Sequence, residues 1–228
     1  MTYADSDRAL TVLKRDPDRV WLRDVASVAL QQSLRDLQMA FSMFFAKKAR
    51  YPAFKRKDAR ATARYTRGSF RITDGKHLSV TKIGRVAIRW DRPLPSPPSG
   101  LTIVREATGR YYASFVVDID VTAKPMTGLS VGIDFGLARL ATLSTGEHVA
   151  NPKHRQKKTQ RLAFLQRRAA RKTRGSRRKM LAQRSVARCH AKIANARKDT
   201  ISKLTTRLVT EFDVICIEDL NLRGMVKN

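Results

Sequence analysis

Two acids in this chain end apolar runs. Asp134 closes SVGID within SVGIDFGLARLATLSTG, and Glu218 follows VICI within FDVICIEDLNLRGMVKN. A carboxylate at the end of an apolar strand faces solvent from a rigid support. Two such acids on adjacent strands would hold a hard divalent cation, which prefers carboxylate and water oxygens. Two cations about 3.5–4 Å apart stabilise the attacking and leaving oxygens of a phosphodiester at once. The ions also offset the mutual repulsion of the acids that hold them. Asp134 and Glu218 are therefore the candidate catalytic and metal-binding residues, provided their strands are neighbours.

The elements that must position them are legible as patterns. Leu129 to Phe135, Leu137 to Ser144 and His148 to Ala150 read as three strands, with turns at Gly136 and at Thr145-Gly146. Two helical segments follow, Gln156 to Lys172 and Arg177 to Thr210, broken at Gly175-Ser176. In the second, Val186, Cys189, Ile193, Ala196, Thr200, Leu204 and Leu208 fall three and four apart, one apolar seam on an otherwise basic helix. Phe212 to Ile217 reads as a further strand, the one that delivers Glu218.

Towards the N-terminus, Asp16-Pro17 has the form of a helix start, and the spacing predicts a helix to about Ala46. Its stripe of Trp21, Val25, Val28, Leu34, Leu37, Phe41, Phe44 and Phe45 is expected to be core. Between about Ser69 and Asp120 the runs RVAIRW, LTIVRE and YYASFVVDID predict a small antiparallel β-domain, and Val121 to Gly128 the linker out of it.

Charge is the strongest compositional signal. The 228 residues carry 47 Lys and Arg against 19 Asp and Glu, a formal net charge of +28. Two blocks hold the excess. Ala46 to Arg71 has ten basic residues and one acid, and Asn151 to Leu208 has twenty and one. Solvation alone would leave these cations repelling one another, so a polyanion is the expected counterpart. From the first block the candidate nucleic-acid-binding residues are Lys55, Arg56, Lys57, Arg64 and Arg67. From the second they are Lys157, Lys158, Arg161, Arg167, Arg168, Arg171, Lys172, Arg174, Arg177, Arg178, Arg184, Arg188, Lys192 and Arg197. Tyr51, Phe54, Tyr65 and Phe70, interleaved with the first block, are of a type that stacks on unpaired bases, although an ordinary solvated loop explains them equally well.

No apolar run approaches the roughly 18 residues of a membrane span, and the N-terminus lacks the form of a signal peptide. The expected setting is cytoplasmic and nucleoid-associated. Cys189 and Cys216 are too few for a disulfide framework or a four-ligand zinc site, and both are expected in core positions.

GIDFGLARLATLSTG, the long basic segment, NARKD and IEDLN with the following GM and KN closely resemble the OrfB/TnpB proteins of bacterial insertion sequences. LKRDPDRVWL, LQQSLRDLQMAFSMFF and YPAFKRK resemble the part of that family before its nuclease domain. The resemblance implies an α/β fold. Residues 1–125 would form a helical segment and a small antiparallel, barrel-like wedge. Residues 126–228 would form a partial RuvC-like, RNase H-type domain with a basic helical insertion at about 155–210. It further implies an RNA-guided DNA endonuclease working with Mg²⁺, DNA and a guide RNA as partners, and Asp134 and Glu218 as two of three metal-binding acids. The family pattern continues through a third acid and a zinc ribbon beyond these residues. The expectation is thus a truncated chain, inactive by itself. A non-catalytic nucleic-acid-binding remnant or repressor is the alternative reading.

Overall fold

The computed structural model describes residues 2–54, 61–136 and 138–218. The chain divides into two compact units at Val121/Thr122. No helix among the described residues is long and apolar enough to cross a membrane.

The first unit opens with helix α1 (Tyr3–Leu13), whose Thr2 and Asp5 cap each other reciprocally. A 3-10 segment, Pro17–Arg23, starts at Asp16, and α2 (Ser27–Phe45) follows. The single helix expected from Asp16 onwards is therefore two elements, and α1 precedes them. The aromatic stripe is not core. Trp21 and Phe45 stay 60% and 75% exposed, and α2 buries its short side chains instead, at Ala26 and Ala29. Small residues let the helix axis approach a sheet closely.

Two three-stranded antiparallel sheets complete this unit. One has the order β1 (Ala61–Thr66), β5 (Gly100–Arg105), β6 (Tyr111–Val116). The other is the meander β2 (Phe70–Thr73), β3 (His77–Val80), β4 (Gly84–Ala87). Tyr65, Leu78, Val80 and Leu101 form the shared core with Ala26 and Ala29, and Phe70 and Phe115 pack on it. Of the rings for which base stacking and a solvated loop were equally open readings, Tyr65 is a core residue and Phe70 is half-buried against that core. Tyr51 and Phe54 do remain exposed. The β2–β3 turn places Asp74 and Gly75 at positive φ, and the Asp74 carboxylate accepts from the His77 Nδ1 at 2.9 Å and the Arg85 guanidinium at 2.5 Å.

The second unit has a four-stranded sheet in the order β10 (Val214–Ile217), β7 (Ser130–Asp134), β8 (Arg139–Leu143), β9 (His148–Ala150). The chain leaves β9, makes a 3-10 turn at Gln156–Lys158 and enters α3 (Thr159–Ala170) and α4 (Arg177–Glu211). Gly175, at φ +82°, turns the chain between them, and the Ser176 side chain caps α4 by accepting from the Lys179 amide at 3.1 Å. The apolar seam of α4 serves two clusters. Its first half, Cys189 and Ile193, packs on Leu162 and Leu165 of α3. Its second half, Leu204 and Leu208, covers Val131, Ile133, Ala141 and Leu143 of the sheet. Cys189 is buried as expected, whereas Cys216 on β10 is exposed because its side of the sheet is not the α4 side.

Leu101 is 1% exposed at the centre of the first core. Leu101→Ala is expected to destabilise that unit by about 2–5 kcal/mol, read from urea denaturation followed by circular dichroism.

Candidate active site and nucleic-acid interface

Strand β7 is apolar on alternate residues. Val131 and Ile133 are buried beneath α4, so the pleat turns Gly132 and Asp134 to the opposite face, where Asp134 is exposed. β10 runs parallel to β7 with Val214 opposite Ser130 and Ile217 opposite Ile133. Continued one step past the end of β10, that register would set Glu218 beside Asp134. Neighbouring strands lie about 4.8 Å apart, a spacing that would bring the two residues within reach of one ion. Both acids thus stand at the carboxyl ends of adjacent parallel strands, where open α/β sheets bind their ligands. The family-implied third acid has no counterpart at hand: the described residues contain no group of three His, Cys, Asp or Glu side chains suited to a metal.

Several contacts fix this geometry. Asp213, one residue before β10, accepts from the backbone amides of Thr127 and Gly128 at 2.8 and 2.7 Å. Those hydrogen bonds hold its carboxyl below the usual range and tie the start of β10 to the start of β7. After Asp134 the chain turns at Gly136. A Cβ there would sit 3.3 Å from the Arg139 carbonyl oxygen, so the close turn leaves little room for a side chain. Arg207 of α4 pairs with Glu147 in the β8–β9 turn at 2.8 Å.

The donor set suits one divalent cation. Mg²⁺ is commonly held by one or two carboxylates with waters and phosphate oxygens completing the shell. Asp134 and Glu218 make no ion pair with a cation among the described residues. Two carboxylates are too few ligands for two ions.

The second basic block lies on α3, α4 and the turn before them. Arg161, Arg167, Arg168, Arg171, Arg174, Arg177, Arg178, Arg188, Lys192 and Arg197 are exposed, as are Lys157 and Lys158, while Lys172 and Arg184 are half-buried. None of them is in an ion pair among the described residues; the pairs made by this helical region are Lys203 with Asp199 and Arg207 with Glu147. In the first block, Arg67 is exposed but Arg64 is spoken for, donating to Asp36 of α2 at 2.5 Å. Lys55, Arg56 and Lys57 lie outside the described residues. The sequence reading overlooked Lys153, His154 and Arg155, which form an ordered loop ahead of α3. The run Asn151-Pro152, a turn signal directly before three cationic or titratable residues, was the available clue.

The second unit thus carries strand-end acids and a cation-covered helical hairpin. Residues 114–228 match the model of the OrfB_IS605 family, described as "Probable transposase". The chain belongs to this family. It is 44% identical over 231 residues to a protein of Streptomyces pristinaespiralis named "Putative RNA-guided DNA endonuclease", covering all of this chain and 58% of that protein. It is 34% identical over 216 residues to "Putative RNA-guided DNA endonuclease InsQ" of Escherichia coli K12, covering 94% of this chain and 54% of that one. The chain therefore spans a little over half the length of these relatives.

The Asp213 clamp has a defined pH dependence. A carboxyl whose folded pKa is depressed contributes stability in full above its unfolded pKa, about 3.9, and loses it as pH falls through the folded value. Asp213→Ala is expected to lower the urea midpoint at pH 7, and the difference from wild type is expected to shrink as pH falls through the depressed folded value.

Proposed function

We propose that this chain supplies the nucleic-acid-binding surface and two of the metal-holding acids of an RNA-guided DNA endonuclease with a RuvC-like catalytic domain. The observation that carries this reading is the parallel register of β10 on β7, which, continued by one residue, would bring Asp134 and Glu218 together from opposite ends of a helical insertion. The names of the relatives and the sheet order, with its one parallel pair at β10–β7, support the same reading.

In it, Asp134 and Glu218 hold a divalent cation at the open end of the sheet. The bound ion would supply Lewis-acid stabilisation of charge on the scissile phosphate. The cations of α3 and α4 bind nucleic-acid backbone, and sequence is read by base pairing to the guide rather than by these side chains. The sheet, clamped by Asp213, keeps the two acids at fixed spacing.

A second reading is favoured by one observation: the described residues offer two acids and no third nearby. In that reading the 228-residue polypeptide binds RNA or DNA, as a repressor does, without cutting. We expect this polypeptide to bind nucleic acid in Mg²⁺ and leave a target duplex intact on a denaturing gel. Robust cleavage that Asp134→Ala abolishes would show that two acids suffice. Binding should fall steeply with salt, by about 10³–10⁵ between 50 and 200 mM if six to ten phosphates are contacted. An affinity indifferent to salt would show that the α3–α4 cations are not the contact surface.

A further inference from the structure

A cleft of about 450 Å³ lies between the loop after β9 and the middle of α4. Its wall is mostly apolar, from Leu140, Pro152, Ile201 and the ring of His154, with Thr200 at its side. Leu140 reaches it through a β-bulge. Arg139 pairs with Ala150 and Ala141 with Val149, which leaves Leu140 as the extra residue that a bulge re-aims. The loop is held in shape by the Lys153 amide donating to the Asn151 side-chain oxygen at 3.1 Å and by Lys153 at φ +47°.

The polar groups are set for recognition. Thr200 Oγ1 lies 3.1 Å from the Ala196 carbonyl and 2.8 Å from His154 Nε2, within hydrogen-bond reach of both. That contact orients the ring and leaves Nδ1 without a partner among the described residues. Lys153, Arg155 and Arg197 line the same cleft, are exposed, and make no ion pair among the described residues. An apolar slot with an oriented imidazole and three uncompensated cations is complementary to a flat heterocycle carried between phosphates.

We propose that this cleft takes one unpaired nucleotide of a bound RNA strand. The base lies against Leu140, Pro152 and Ile201 with the His154 ring beside it, and the flanking phosphates meet Lys153, Arg155 and Arg197. The volume falls within the roughly 300–1,000 Å³ of clefts that hold small ligands. RNA is the source because folded RNA displays splayed bases in bulges and loops, where side chains stack on them, whereas duplex DNA keeps its bases paired. The proposal rests on the reading that the chain binds a guide RNA, and it adds a discrete nucleotide site to that surface.

The test compares two labelled RNA hairpins, one fully paired and one with a single bulged uridine, binding to the whole 228-residue chain. The bulged hairpin is expected to bind about tenfold more tightly, the value of one stacked base. Ile201→Trp, which fills the cleft from an exposed position, should erase that preference and keep the affinity for the paired hairpin. Equal binding of both hairpins by the wild-type chain overturns the proposal, as does a preference that survives Ile201→Trp. An equal preference for the bulge in a DNA hairpin overturns the assignment to RNA. Failure to bind either RNA hairpin overturns the proposed function as well, which separates the two failures. Should Ile201→Trp not fold, 4-thiouridine at the bulge decides the matter in the wild-type chain. Crosslinks at Leu140 or within 151–156 or 197–201 support the site, and crosslinks elsewhere overturn it.

Discussion

The parallel pairing of β10 with β7 is the constraint on which the second unit depends. Parallel neighbours cannot be joined by a tight turn, so the chain must travel a long way between them. Here it travels through β8, β9, α3 and all of α4. The apolar seam of α4 then returns the chain to the sheet by packing Leu204 and Leu208 on Val131 and Ile133. Asp213 completes the closure by binding the amides of Thr127 and Gly128. The register that results, continued one residue past β10, is what would set Glu218 beside Asp134. Moving β10 by one residue would turn Glu218 to the other face of the sheet.

The same helix resolves a conflict between burial and charge. α4 is 35 residues long, about 52 Å at 1.5 Å per residue, and carries ten Lys and Arg against two acids. Its seam is narrow enough to bury only Cys189, Ile193 and Leu208 fully, which leaves the remaining faces to Lys and Arg. Those side chains belong to residue types that favour helix, so local propensity and tertiary packing agree. Their mutual repulsion finds little relief within the fold, and it makes the surface a counterpart for phosphate.

Much of this was legible in the sequence because it rests on periodicity. The strands around Asp134 and Glu218 show as apolar runs, and the α4 seam shows as a spacing of three and four. The pairing of β10 with β7 is not a local property, and the sequence alone leaves it as a condition. The N-terminal region was read less well. Trp21 and Phe45 sit at helical spacing yet remain exposed, because the sheet receives the alanines of α2 instead. Tyr65 and Phe70 lie among cations in sequence yet point inward, because strand alternation sends neighbouring residues to opposite sides. The loop at Lys153–Arg155 escaped notice because its significance comes from Thr200, which is distant in sequence and 2.8 Å away in space.

The central claim is that Asp134 and Glu218 act together on one divalent cation. Mn²⁺ binding to the 228-residue chain, followed by electron paramagnetic resonance, tests it without requiring catalysis. The account predicts one Mn²⁺ site that Asp134→Asn and Glu218→Gln each weaken by at least an order of magnitude, with Mg²⁺ competing for it. Unchanged Mn²⁺ affinity in both variants would contradict it.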